Sequence, residues 1–331
     1  MADKIFKILT IDGGGIKGLY SSKIIENLEE QFDCYMSDYF DMICGTSTGG
    51  ILALALSAKM KAREISNLYE EKGNFIFPTQ NKYRAAIKQV IGKGKYSDKN
   101  LKTSLVKTFG ERRIADSNNL LCIPTYSYTD ARPWIFKYDH KEGNSSRDNK
   151  TSYVDVALAT SAAPTYFPLS EIECHDSKQF IDGGVYANDP SLVGFTEAIR
   201  FFVGEGKQFD RLMILSISSL THSQGRKTGL RRKRSFRHWK SDLFEVMMTG
   251  QAKANQFFMA QAKNINGVAM NYVRIPSEIL SSDQEKIVDM DNASKDSINL
   301  IKGKGNDAGQ IWRKKPEVAE FFKNKKIYKT Q

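Results

Sequence analysis

A serine framed by glycines, Gly45-Thr46-Ser47-Thr48-Gly49, follows the apolar run Tyr39–Cys44 and precedes a second one, Ile51–Leu56. That order reads as strand, sharp turn and helix with a serine at the tip, the glycines leaving room for neighbouring backbone. Ser47 is therefore a candidate nucleophile, provided that a base takes its proton as it attacks. Attack on a carbonyl also builds an oxyanion, which needs aimed hydrogen-bond donors. The stretch Asp12-Gly13-Gly14-Gly15-Ile16-Lys17-Gly18 can supply them. Consecutive glycines let backbone N–H groups converge at a helix N-terminus. Gly13, Gly14 and Gly15 are the candidate oxyanion residues, with Gly14 and Gly15 foremost. Lys17 adds positive potential there or fixes the loop.

The base is less plainly written. The four histidines are His140, His175, His222 and His238, and none lies in a strand-to-loop motif. All four read as surface residues, and the cations around His238 disfavour its protonation as a base. Asp182 is the stronger candidate. It ends an apolar run and precedes Gly183-Gly184, and desolvation can make a carboxylate basic enough to accept a serine proton. An Asx-turn or a helix cap would use Asp182 equally well. Gly13, Gly15 and Gly18 also fit the Gly-x-Gly-x-x-Gly pattern of a dinucleotide site. A second glycine-flanked serine turn on the next strand weighs against that reading, because a cofactor domain has no need of it. Leu19-Tyr20 after Gly18 exclude a Gly-Lys-Ser/Thr phosphate loop.

The elements that must position these residues begin with a strand over 5–11, a helix over 19–32, the strand at 39–44 and a helix to about 61. A β-loop-α-β-turn-α order argues for a parallel sheet with helices packed on it. Residues 61–119 are more polar and mostly helical, a cap or lid over the site or else a solvated insertion. Strands are expected at 120–128, 134–138, 179–181, 211–218 and 271–275. Helices are expected at 153–162, 191–203 and 243–262, and a loop-like basic segment at 221–240. The reading is one α/β domain over 1–331 with its core at about 5–220 and a helical part at 241–331. No internal repeat is present.

Three motifs in order, Asp12–Gly18, Gly45–Gly49 and Asp182–Gly184, resemble those of patatin-like phospholipases. Ala159–Pro168 resembles the family's stretch between the last two, and Met290–Ser294 extends a weaker likeness. The resemblance covers about residues 5–220. It implies a three-layer α/β/α patatin-like fold with a mostly parallel sheet and helical cap insertions. It also implies a Ser-Asp dyad of Ser47 and Asp182, an oxyanion loop at residues 13–15, a glycerolipid substrate and an acyl-enzyme, with no catalytic cofactor or metal. Lys17 stands where the family usually carries a basic residue.

Composition bounds the partners. With 331 residues, 40% hydrophobic and 11% aromatic, the chain can bury a real core, and its net charge of +11 favours an anionic partner. Cys44 and Cys122, in strand-like runs, read as core thiols, and the four cysteines form neither a CxxC pair nor a cluster with histidine. No segment reaches the ~18 consecutive apolar residues of a spanning helix. The N-terminal apolar run is too short for a signal peptide. The expectation is a cytoplasmic protein acting peripherally at the inner face of the membrane, and no residue requires or excludes a homo-oligomer.

Much of the charge lies between Ser223 and Ser241, where no acidic residue occurs and Arg226, Lys227, Arg231, Arg232, Lys233, Arg234, Arg237 and Lys240 surround Phe236 and Trp239. A solvated loop, a patch for anionic headgroups and a pocket for a phosphorylated regulator, with Trp239 or Phe236 stacking on a base, all fit. The compact core is similar to phospholipase effectors of cyclic-oligonucleotide anti-phage signalling, which implies a cyclic di- or trinucleotide activator. No nucleic acid polymer is expected. Two other readings stand beside this one. A histidine-dependent esterase with His222 or His238 as base would lose activity when that histidine is replaced. A nucleotide-binding module would keep its binding after Ser47→Ala.

Overall fold

Ile5–Ile11 (β1) is buried on both faces after its first residue, which places it in the middle of a sheet with helices on either side. The computed structural model describes residues 4–78, 95–221, 228–229, 232–233, 236–262 and 269–330. The other strands are Met42–Gly45 (β2), Leu120–Ser127 (β3), Arg132–Lys137 (β4), Ser170–Ile172 (β5), Lys178–Asp182 (β6), Arg211–Ile217 (β7) and Ala269–Ile275 (β8). They form one eight-stranded sheet in the order β5-β6-β3-β2-β1-β7-β8, with β4 also paired to β3. Strands β3, β2, β1, β7 and β8 are mutually parallel, while β4, β6 and β5 add antiparallel pairings.

The register around β3 positions the site. One edge of β3 is filled by β4 from Cys122 to Ser127. The other edge is shared. Strand β2 pairs parallel with Leu120–Cys122, and β6 pairs antiparallel with Thr125–Ser127. The two strands therefore point toward each other along one edge, and their C-terminal ends meet across Ile123 and Pro124. The turn after β2 carries Ser47, and β6 ends at Asp182. The Pro124 carbonyl in that gap accepts a hydrogen bond from Thr160 Oγ1 at 2.7 Å, and a proline places no unpaired N–H there.

Helices cover both faces. Gly18–Gln31 (α1), Thr48–Ser57 (α2), Ala62–Ile76 (α3), Lys99–Phe109 (α4) and Tyr153–Thr160 (α5) are followed by the short Gly184–Ala187 (α6) and by Ser191–Phe201 (α7). Phe236–Ala262 (α8), Ser282–Ile287 (α9), Lys295–Trp312 (α10) and Pro316–Ala319 (α11) complete the set among the described residues. Along β1, side chains alternate between faces. Thr10 Oγ1 lies 2.9 Å from Ser191 Oγ of α7, and Phe6 stacks on Phe202 at 5.0 Å between centroids. Lys7, on the opposite face, donates to the Phe321 and Asn324 carbonyls. Asp41 Oδ1 accepts from the backbone of Ile327 and Tyr328 at 3.0 and 2.8 Å.

The strand expected at 271–275 is present as β8, which pairs with β7 along its whole length. Two expectations need correction. The segment 221–240 is not all loop. Helix α8 begins at Phe236, so Arg237, His238 and Trp239 are helical, whereas His222, Arg226, Lys227, Arg231 and Arg234 lie outside the described residues. His140 and His175 are buried rather than surface residues, since each has a partner inside the fold. His140 Nε2 lies 3.1 Å from Glu197 Oε1, and His175 Nε2 lies 2.7 Å from Thr151 Oγ1.

Candidate active site

Ser47 sits at φ 55°, ψ −125°, a conformation that L-residues avoid and that persists only where surrounding structure imposes it. Several bonds impose it here. Its carbonyl accepts from the N–H groups of Gly50 and Ile51, which starts α2 directly beyond it. Its own N–H donates to Thr160 Oγ1 at 2.9 Å, and Thr46 Oγ1 donates to the Ala187 carbonyl at 2.6 Å. The turn packs so closely under β1 that a Cβ on Gly49 would come within 2.3 Å of the Ile11 carbonyl oxygen. The hydroxyl of Ser47 thus stands at the N-terminus of a ten-residue helix, where the backbone dipole favours developing negative charge.

Asp182 is 1% exposed. Burial pushes its carboxyl from the ordinary 3.8 up to about 7, against the pull of hydrogen bonds from the Ser47 side chain and the Gly184 N–H. The Gly184 bond to Oδ1 is 2.7 Å long. A carboxyl with its proton affinity raised in this way can take and return a proton near neutral pH.

The glycine loop lies against the same serine. A Cβ on Gly13 would stand 3.1 Å from Ser47 Cβ. The N–H of Gly13 is committed to the Asn188 carbonyl at 3.1 Å, and Ile16 N–H to the Met290 carbonyl at 2.8 Å. Among the described residues, no backbone bond formed outside the helices and strands uses the N–H of Gly14 or Gly15. Gly15 adopts φ +60°, and a Cβ there would lie 2.2 Å from the Met290 carbonyl oxygen. Both the left-handed conformation and the close approach require glycine at this position.

Below the loop lies a buried ion cluster that the sequence motifs did not announce. Arg274, from β8, pairs with Asp12 through both terminal nitrogens and lies 3.2 Å from Asp189 Oδ2. Burial alone would lower the guanidinium's proton affinity, but Asp12 and Asp189 more than offset it, so Arg274 stays charged. The Asp189 backbone is held in turn by Gln251 and Asn255 of α8. Lys17 is also buried, which lowers its pKa against the opposing charges of Glu245 and Asp289.

Ser47 opens onto a cleft, about 470 Å³ including the space open to solvent, whose walls include Ile51, Tyr69, Ile76, Phe77, Leu101 and Tyr166. Four of these, Tyr69 to Leu101, come from the 61–119 segment, so that segment forms part of the cavity wall. A smaller space of about 210 Å³ adjoins it and shares Leu101, Ser161 and Phe167. The wall is apolar apart from Ser47, the Tyr166 hydroxyl and the hydroxyls of Thr48, Tyr69 and Ser161, the last three buried without a hydrogen-bond partner among the described residues. Such a cleft accepts an alkyl chain and leaves a few donors for a polar group near its serine end. Thr165, in the adjoining loop, has φ 72°. The loop is tied down by backbone bonds from Lys95 and Tyr96 to the Thr165 and Tyr166 carbonyls.

The structure thus gathers Ser47, Asp182 and Gly13–Gly15 into one place. Of the basic stretch, Arg232 and Lys233 are exposed and Trp239 is half-buried. Sequence reasoning missed Arg274, Asp189, Thr160 and the Met290 carbonyl. Thr160 lay within the Ala159–Pro168 resemblance, and Met290 at the start of the weaker one.

A buried serine at a strained turn, a buried carboxyl beside it and an apolar cleft are parts that a hydrolase of lipid esters can use. The family model described as patatin-like phospholipase matches residues 9–193. The chain is 32% identical over 308 residues to a cGAMP-activated phospholipase of Pseudomonas aeruginosa, covering 92% of this chain and 88% of that one. It is 30% identical over 345 residues to a cGAMP-activated phospholipase of Vibrio cholerae, covering 96% and 94%. Among solved structures, VipD from Legionella pneumophila aligns with a TM-score of 0.42 at 12% identity, over 94% of this chain and 67% of that one. The chain belongs to the patatin-like phospholipase family and is a lipid ester hydrolase.

Proposed function

We propose that the protein releases fatty acids from membrane phospholipids through Ser47 and Asp182. The observation that carries the proposal is the strained Ser47 beside the buried, raised carboxyl of Asp182, at the end of an apolar cavity. Ser47 Oγ attacks the ester carbonyl carbon while Asp182 takes the hydroxyl proton. The N–H groups of Gly14 and Gly15, with the α2 N-terminus, stabilise the resulting oxyanion. Collapse breaks the ester C–O bond, and the lysophospholipid alkoxide leaves with the proton from Asp182. Asp182 then deprotonates water, which attacks the acyl-enzyme and frees the acid as Ser47 regains its proton. The N–H of Gly13, already bonded to Asn188, holds the loop rather than the oxyanion.

Activation by a cyclic dinucleotide belongs to the same proposal. It rests on the relatives named cGAMP-activated phospholipases and on the cationic stretch between Ser223 and Ser241. A latent enzyme also suits a protein whose substrate is the membrane of its own cell, and degradation of that membrane on a nucleotide signal is a defence function. The test measures fatty acid released from phospholipid vesicles, with and without cyclic di- and trinucleotides, for the parent, Ser47→Ala and Asp182→Ala. No fatty acid from the parent under any condition refutes the phospholipase proposal. Equal release with and without every nucleotide removes activation and leaves the chemistry.

A further inference from the structure

Helix α8 has two unlike sides. Met248, Ala252, Asn255 and Met259 recur at helical spacing and are buried against the protein. The other side exposes Leu243, Val246, Met247, Phe257 and Phe258, the last two at 64% and 56%. Ala254 is exposed too, and a Cβ on Gly250 would meet nothing within 4 Å. From Leu243 to Ala262 the only charged residues are Glu245 and Lys253. A helix face bathed only by water ordinarily carries charge, and a contiguous apolar stripe marks an interaction surface.

We propose that this stripe is the surface by which the enzyme docks on an anionic phospholipid bilayer, an inference that rests on the lipid ester hydrolase reading. Three observations select a bilayer over another protein. The first is charge. Exposed Arg232 and Lys233 lie shortly before the helix in a stretch without acids, on a chain of net charge +11. Anionic headgroups complement that charge, whereas a second copy repeats it. The second is shape. No described helix is long and apolar enough to cross a membrane. A one-sided helix suits lying in the interface, with its apolar side in the acyl boundary. The third is position. The buried side of α8 packs on the aspartate turn: Gln251 and Asn255 bond to Asp189, and Met248 Cγ lies 3.6 Å from where a Cβ on Gly184 would stand. Seating the stripe on lipid holds the Ser47–Asp182 site one helix diameter, ~10 Å, from the membrane surface.

The test uses the full chain and its Phe257→Ser/Phe258→Ser variant, with Phe257→Trp/Phe258→Trp as the conservative pair. Binding to vesicles of phosphatidylglycerol and phosphatidylethanolamine is read by flotation, and hydrolysis is read on the same vesicles and on a soluble short-chain ester. The serine pair should bind vesicles at least about tenfold more weakly, because each ring loses its transfer into the interface. Vesicle hydrolysis should fall with it, soluble-ester hydrolysis should hold, and the tryptophan pair should bind like the parent. Unchanged vesicle binding overturns the proposal, as does an equal loss on the soluble ester. So does a parent whose self-association the serine pair abolishes without altering vesicle affinity, since a second copy then covers the stripe. A parent that binds vesicles through the stripe yet hydrolyses no ester retains the docking surface and loses the hydrolase reading.

Discussion

Replacing Asp182 by asparagine keeps the shape of the buried carboxyl and removes its titration. In the folded protein this group is neutral up to about pH 7, whereas an unfolded chain ionises it near 3.8. The sign follows from proton counts. Between those two values the folded state holds the proton more tightly, so raising the pH costs the folded state stability, and above about 7 the cost is constant. Each pH unit in that window is worth about 1.4 kcal/mol. From pH 5 to pH 8 the parent therefore loses about 3 kcal/mol that Asp182→Asn does not lose. Other buried acids, such as Glu29, which burial also raises to about 7, occur in both proteins and cancel in the difference. The assay is denaturant unfolding of both proteins at pH 5 and pH 8 in one buffer series. Hydrolysis by the parent should rise with pH through an inflection near 7, and the variant should lose on the order of 10²- to 10⁴-fold in rate. A stability gap that stays constant between the two pH values would refute the argument that burial tunes Asp182 as a base.

Three further substitutions probe the rest of the site. Ser47→Ala and Ser47→Gly should both abolish hydrolysis, but the glycine variant should be the more stable by about 1 kcal/mol, since it adopts the positive φ of the turn without strain; equal unfolding midpoints would count against a strained nucleophile. Arg274→Met leaves Asp12 and Asp189 buried without their cation and should cost about 3–5 kcal/mol, read as a lower melting temperature that no added salt restores. Leu101→Trp narrows the cavity at a point shared by its two compartments. It should raise KM for long-chain esters while leaving acetyl esters unaffected, and equal effects on both would place the acyl chain elsewhere.

Local pattern carried much of this structure. The apolar runs flanking Gly45–Gly49 and Asp12–Gly18 are strands and helices because their glycines admit close backbone approach, and that requirement is written in consecutive residues. The motif at Asp182 is equally local. What the sequence left out are partners joined by topology alone. Arg274 stands 262 positions from Asp12, in a strand whose neighbour was legible but whose register was not. Thr160 is one of several small residues in Ala159–Pro168, and only the gap at Pro124 makes its hydroxyl matter. The buried histidines were misread because a sequence shows their polarity and not the acceptor waiting in another element. The start of α8 was misread because a run of cations looks like solvated loop whether or not its backbone is helical.

The glycine loop is held from far downstream, and the consequence is one of timing. A chain synthesised as far as residue 220 already carries Ser47, Asp182 and Gly13–Gly15. It lacks the Arg274 guanidinium that neutralises Asp12 and the Met290 carbonyl that anchors Ile16. Residues 321–328, which close the core beside Lys7 and Asp41, emerge later still. Stalled nascent chains ending at residue 262 should therefore be inert toward soluble esters, while chains extended through residue 331 should gain activity. An order of synthesis that delivers the clamp after the motifs keeps a lipid ester hydrolase unassembled until residues 274–290 have emerged.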